Sequence, residues 1–118
     1  MPKGALFVGW GSIIAGREKV AARVLDEAMQ YLTRLEREGR IESVEVVLLE
    51  PHGGDLEGFV LVKGERDAIA RLRVDPEFVE VIVGVQLVHA RVGVVGAYTG
   101  AEMLSLLELW DRQEVKVL

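Results

Sequence analysis

The apolar positions of this chain change period several times, and each change marks an element. Residues 5–10, Ala-Leu-Phe-Val-Gly-Trp, are a short apolar run followed by glycine, the pattern of a buried strand. From Arg17 to about Glu38, apolar residues recur at Val20, Val24, Ala28, Tyr31 and Leu35, flanked by Ala21, Leu25 and Leu32. Those spacings trace one stripe along a long helix, and Arg23, Glu27, Arg34 and Glu38 make the opposite side wet. Gly39 stands where a left-handed C-terminal cap belongs. Residues 43–50 form a second strand, apolar on both parities beyond its start, and residues 57–63 a third. The Pro51-His52-Gly53-Gly54 turn between them implies an antiparallel hairpin.

The second half is less regular. Gly64-Glu65-Arg66-Asp67 opens a short helix carrying Ala68, Ile69 and Leu72. Asp75-Pro76 restarts it, because aspartate caps well and proline fits the first helical position. Phe78, Val81, Ile82, Val85 and Val88 keep a helical period, yet the segment is dense in β-branched residues that suit strands. Residues 79–88 therefore stay open between helix and strand, with helix to about Leu87 adopted. A strand follows over Arg91–Tyr98. Thr99-Gly100-Ala101-Glu102 has capping-box spacing and opens a last, unusually oily helix to about Arg112, leaving Gln113–Leu118 as a frayed tail. The order β-α-β-β-α-β, with a broken second helix and an extra C-terminal one, predicts an α+β, ferredoxin-like domain. Four antiparallel strands would carry the main helices on one face. Apolar residues on both parities of those strands mean that the other face needs a cover, and homodimerisation through the sheets is the simplest one.

Composition narrows the functional classes. Half of the 118 residues are hydrophobic, enough for a single domain over 1–118 with its own core. Cysteine is absent, which excludes disulfides, zinc-thiolate sites and a cysteine nucleophile. The net charge of −5 has its basic residues interleaved with acidic ones, as in Arg34-Leu35-Glu36-Arg37-Glu38, so no basic stripe is available for nucleic acid. No run reaches transmembrane length and no secretory pattern opens the chain, so a cytoplasmic location without membrane association is the expectation.

The element order, the Pro51-His52-Gly53-Gly54-Asp55-Leu56-Glu57-Gly58 turn, the helix break at Asp75-Pro76-Glu77-Phe78 and the Val94-Val95-Gly96-Ala97-Tyr98 strand together resemble the dimeric α/β-barrel superfamily. Within it, the chain is similar to small bacterial members without an assigned activity. The resemblance implies two sheets packed across a homodimer and a pocket between each sheet and its helices. Relatives in that superfamily include antibiotic-biosynthesis monooxygenases, muconolactone isomerases, haem-degrading monooxygenases and stress-response proteins. No catalytic signature of those branches maps onto residues of this chain.

The chemistry-bearing residues are few. Gly9-Trp10-Gly11 with Gly16 has the wrong spacing for a dinucleotide fingerprint. His52, between Glu50 and Asp55, reads either as a general base or as a wet turn residue. His89 and Arg91 stand at the junction of the broken helix and the last strand. They read as a pocket pair for a carboxylate or oxyanion, with His89 also placed to ligate haem iron, or as a histidine satisfied by backbone. Trp10 and Tyr98 end two central strands, as core or as walls for a flat aromatic ligand. Trp10, His52, His89, Arg91 and Tyr98 are thus the ligand-pocket candidates, and His52 and His89 the catalytic ones. Two histidines without a carboxylate spacing make no metal site, and no cofactor is expected. Two functional readings follow: a homodimeric module, open to higher assembly, that binds a small apolar ligand or serves as an assembly partner, or a cofactor-independent monooxygenase or isomerase acting on a hydrophobic or aromatic molecule.

Overall fold

A computed structural model describes residues 2–118. Strand β1 (Lys3–Trp10) leads through a loop to helix α1 (Glu18–Arg37); β2 (Ser43–Leu48) and β3 (Gly58–Glu65) follow, then α2 (Arg66–Val74), α3 (Pro76–Val88), β4 (Gly93–Ala97) and α4 (Gly100–Val117). The sheet order is β2-β3-β1-β4, all neighbours antiparallel. This is the ferredoxin-like α+β arrangement expected. Within one chain the sheet is open, with β2 and β4 at its edges, so a barrel would take a second copy.

The core forms where the sheet meets α1, α2 and α3. Leu6, Val8 and Trp10 of β1 point into it beside Val60 and Val62 of β3, and Tyr31, Leu32, Leu35, Ile69, Leu72 and Phe78 close over them. Leu6, Leu35 and Val62 are sealed from solvent; cutting such a leucine to alanine costs about 2–5 kcal/mol. The α1 stripe is buried at Ala21, Ala28, Tyr31, Leu32 and Leu35. After it, Gly39 adopts φ +76°. Its N–H reaches Glu36 O and that of Arg40 reaches Leu35 O, the paired bonds of a left-handed cap.

Residues 79–88 are helical. Their β-branched side chains lose the contest with packing, since Phe78, Val85 and Val88 bury at helical spacing. Asp75 caps this helix, its carboxylate accepting from Glu77 N–H at 2.9 Å.

Other details differ from the sequence expectations. Residues 49–57 form a longer connection than a tight hairpin. The final strand is shortened to Gly93–Ala97, because Arg91 at φ +54° interrupts the extended backbone at the expected start of the strand. The last helix runs on through Gln113–Val117 rather than fraying after Arg112, since nothing in Gln-Glu-Val-Lys-Val breaks it. The capping box does not form: Thr99 makes no side-chain cap bond, and Glu102 instead accepts the Lys3 N–H at 2.8 Å. Arg34, placed on the wet side of α1, lies over the Tyr31 ring at 5.4 Å and pairs with Glu77 at 2.7 Å.

The Asp75 cap yields a pH-dependent expectation. The Glu77 N–H, and then Arg40, hold its carboxyl below the usual value of 3.8. A group so lowered stabilises the fold fully above the unfolded value, and that contribution is lost as pH falls through the folded value. Asp75→Ala should therefore lower the melting temperature at neutral pH, and the deficit should shrink in melts at about pH 2.5.

Candidate functional site

One end of the sheet gathers three connections. After Trp10 the chain pairs with the end of α3: Gly11 N–H donates to Ala90 O, Ala90 N–H to Ser12 O and Ile14 N–H to Val88 O, each at 2.8 Å. The Arg17 guanidinium donates to Leu87 O across the same seam. Gly11 is required there, because a Cβ would stand 2.8 Å from Ala90 O and 3.1 Å from Asp55 O. The 49–57 connection joins through Glu57 N–H, which donates to Trp10 O, and through an Asp55–Arg91 ion pair at 3.6 Å. Arg91 is held at φ +54°, unusual for a residue with a side chain.

His89 is the buried titratable residue of this end. Its Nδ1 stands 3.0 Å from Gly11 O. A carbonyl can only accept, so Nδ1 carries the proton and neutral His89 keeps its lone pair on Nε2. The ring lies 6.1 Å from the buried Trp10 indole. Both line a cavity of about 30 Å³ between sheet and helices, walled by Val8 and Val60, by Leu25, Ala28 and Met29 of α1, and by Val81 and Val85 of α3. That volume admits one or two water-sized groups.

The other sequence candidates fall elsewhere. His52 is exposed, and both of its nitrogens serve the connection: Nε2 donates to Leu56 O at 2.8 Å and Nδ1 accepts Gly54 N–H at 3.2 Å. Arg91 is exposed beside Asp55. Tyr98 follows Ala97, which pairs with Ala5, so it stands level with Gly4, about 20 Å along the sheet from Trp10. It lines a separate groove of about 450 Å³ with Arg66, Arg73, Ala97 and Glu102. The structure thus joins Trp10 to His89, sets Arg91 and the His52 connection at the same end, and separates Tyr98. Among the described residues, no group of three or more His, Asp or Glu could hold a metal, and no helix is long and apolar enough to cross a membrane.

Sequence reasoning passed over Tyr31, treated only as part of the stripe. It also lines the cavity, and its buried hydroxyl has no partner; nor does Arg34 Nε nearby. A tyrosine on a buried stripe is itself the signal, since its hydroxyl must be wet or bonded. Burial, then Asp75 and Glu77, push the Tyr31 hydroxyl up to about 12.

No protein-family model and no curated protein matches the sequence. Solved structures do. A dimeric protein of unknown function with a ferredoxin-like fold from Bacteroides fragilis matches at 13% identity and TM-score 0.61, over 80% of this chain and 94% of its own. A DABB-family protein from Mesorhizobium loti matches at 12% and 0.63, over 84% and 99%. A cofactor-independent oxygenase from Streptomyces nogalater, in a variant form, matches at 11% and 0.57, over 86% and 98%. These likenesses establish the ferredoxin-like fold.

The raised Tyr31 value can be read directly. The chain has two tyrosines, so in Tyr98→Phe the phenolate signal belongs to Tyr31 alone. A raised folded value gives stability that is complete below the unfolded value near 10 and lost as pH rises through the folded one. Phenolate absorbance should therefore lag the unfolded titration and rise with alkaline unfolding; simple titration near 10 in the folded protein would contradict the burial.

Proposed function

We propose that the protein is a homodimeric module, packed through the open faces of two sheets, whose protomers each hold a small apolar group between sheet and helices. The observation that carries this reading is the uncovered side of the sheet. Val60 and Val62 point into the core, so Phe59 and Leu61 point away from it. Phe7 is registered beside Leu61 and Val47 beside Phe59, with Val95 on the far side of Phe7 and Ala97 beside Ala5, while Glu45, opposite Leu61, bounds the patch on β2. Phe7 and Phe59 stack at 5.1 Å between centroids. The sheet-packing helices α1, α2 and α3 all bury their residues on the other side. A contiguous apolar face of this kind marks an association surface, and a second copy offers the matching face under two-fold symmetry. Similar solved structures described as dimeric support the reading. Sedimentation should show a dimer at micromolar concentration, and Phe59→Glu should convert it to a folded monomer. A parent chain that sediments as a monomer would remove the proposal.

A second reading, a cofactor-independent monooxygenase or isomerase, is favoured by one observation: His89 keeps a free lone pair beside the cavity, with its ring fixed by Gly11 O. Such a base suits abstraction of a proton from a phenol or enol. Volume weighs against it, because benzene alone occupies a cavity of about 150 Å³ and the space here is about 30 Å³. If this reading holds, a polycyclic phenol should drive oxygen uptake or isomerisation in the parent chain, and His89→Ala should reduce it about a hundredfold or more. No turnover by the parent across a panel of such phenols would leave the binding module alone.

A further inference from the structure

Among the described residues, α4 is the one helix that buries no residue. It is tied to the body at its root, where Glu102 accepts the Lys3 N–H at 2.8 Å. The Lys3 N–H, ahead of other causes, holds the Glu102 carboxyl below its usual range. Beyond that root, eight apolar residues from Met103 (43% exposed) to Leu118 (95%) face solvent. At 100° per residue, Leu104, Leu107 and Val115 fall on one flank and Leu106, Leu109 and Val117 on the other, so apolar surface wraps more than half of the helix. Leu106 alone among these is half-buried. A helix apolar on most of its circumference needs more than one wall.

We propose that α4 is an arm that packs onto a second copy of this chain and extends the sheet-to-sheet interface; the inference rests on the dimer reading above. Area favours a second copy. The eight exposed side chains present on the order of 900 Å² at typical side-chain sizes, against about 800 Å² per partner in a stable complex. Continuity favours the same occupant. β4 is an edge strand that presents Val95 (55% exposed) on the open face and runs within three residues to the start of α4 at Gly100. Whatever covers the open face is therefore within reach of the arm. Charge disfavours a lipid surface: Glu102, Glu108, Asp111 and Glu114 outnumber Arg112 and Lys116, whereas helices that lie on membranes carry a basic polar face.

The test uses the full chain. Its two tryptophans are Trp10, buried in the core, and Trp110, 67% exposed on α4, so acrylamide quenching of tryptophan emission reads Trp110. Quenching should fall with rising protein concentration, in step with dimer formation seen by sedimentation. Leu104→Glu combined with Leu107→Glu touches no buried position and should raise the dimer dissociation constant about tenfold or more. If the dimer forms while Trp110 stays quenchable and the double variant associates like its parent, the arm proposal is overturned and the sheet-face reading stands. If Phe59→Glu stays dimeric while the double variant is monomeric, the arm is the interface and the sheet-face reading falls. A monomer at every concentration overturns both. Protection of Trp110 by phosphatidylcholine vesicles, without any change on dimer formation, overturns the arm in favour of a lipid surface.

Discussion

The structure depends on the two-sided burial demanded by β1. This strand lies inside the sheet, paired with β3 along one edge and β4 along the other. Leu6, Val8 and Trp10 on one face meet three helices, whereas Ala5 and Phe7 lie on the face that those helices do not cover. A strand read as a near-continuous apolar run belongs to a sheet covered on both sides. The chain supplies helices for one side: Tyr31, Leu32 and Leu35 of α1, Ile69 and Leu72 of α2 and Phe78 of α3 bury in one core with β1 and β3. The shortfall is therefore built into the topology, and it leaves the half-buried Phe7–Phe59 stack on the face that the three helices do not cover.

The same layering decides what a ligand would find. The helix face is tight: beside Trp10, Tyr31, Phe78 and His89 the cavity is walled by aliphatic side chains and Met29. The polar groups at its edge are spoken for or orphaned. His89 Nδ1 is committed to Gly11 O, and the Tyr31 hydroxyl has no partner. Catalysis draws on several convergent polar groups, and the cavity brings only these two to its edge.

How much of this could be read from the chain depended on how local each cause was. The α1 stripe, the Gly39 cap and the Asp75-Pro76 restart arise within a few residues, and each reappears in the structure. Residues 79–88 were ambiguous because helical period and β-branched propensity disagreed; burial of Val85 and Val88 against the core decided for helix. The candidate site was less legible, because its geometry follows strand register. Trp10 and Tyr98 look equivalent as strand-ending aromatics, yet antiparallel pairing sends them to opposite ends of the sheet. The partner of His89 is Gly11, far away in sequence, and is set by backbone pairing of two loops that no side-chain pattern encodes. Tyr31, Arg34, Glu77 and Asp75 form a cluster for the same reason, with α1 and the start of α3 brought together only by packing.

Those tertiary ties also determine how the interior could open. At its start, α3 is held to α1 by Arg34–Glu77 and to the segment after α1 by Arg40–Asp75. At its end, Val88 and Ala90 are stitched to the loop after β1 by backbone hydrogen bonds. With both ends of α3 anchored, moving the helix as a body would break a capped start and a paired end together. Rotating side chains along its middle breaks neither. Val81, Ile82 and Val85 on α3 and Met29 on α1 line the space, and methionine, with three rotatable bonds, is the most adaptable of them. The volume of this space is thus governed by side-chain rearrangement around Met29 before any separation of α1 from α3.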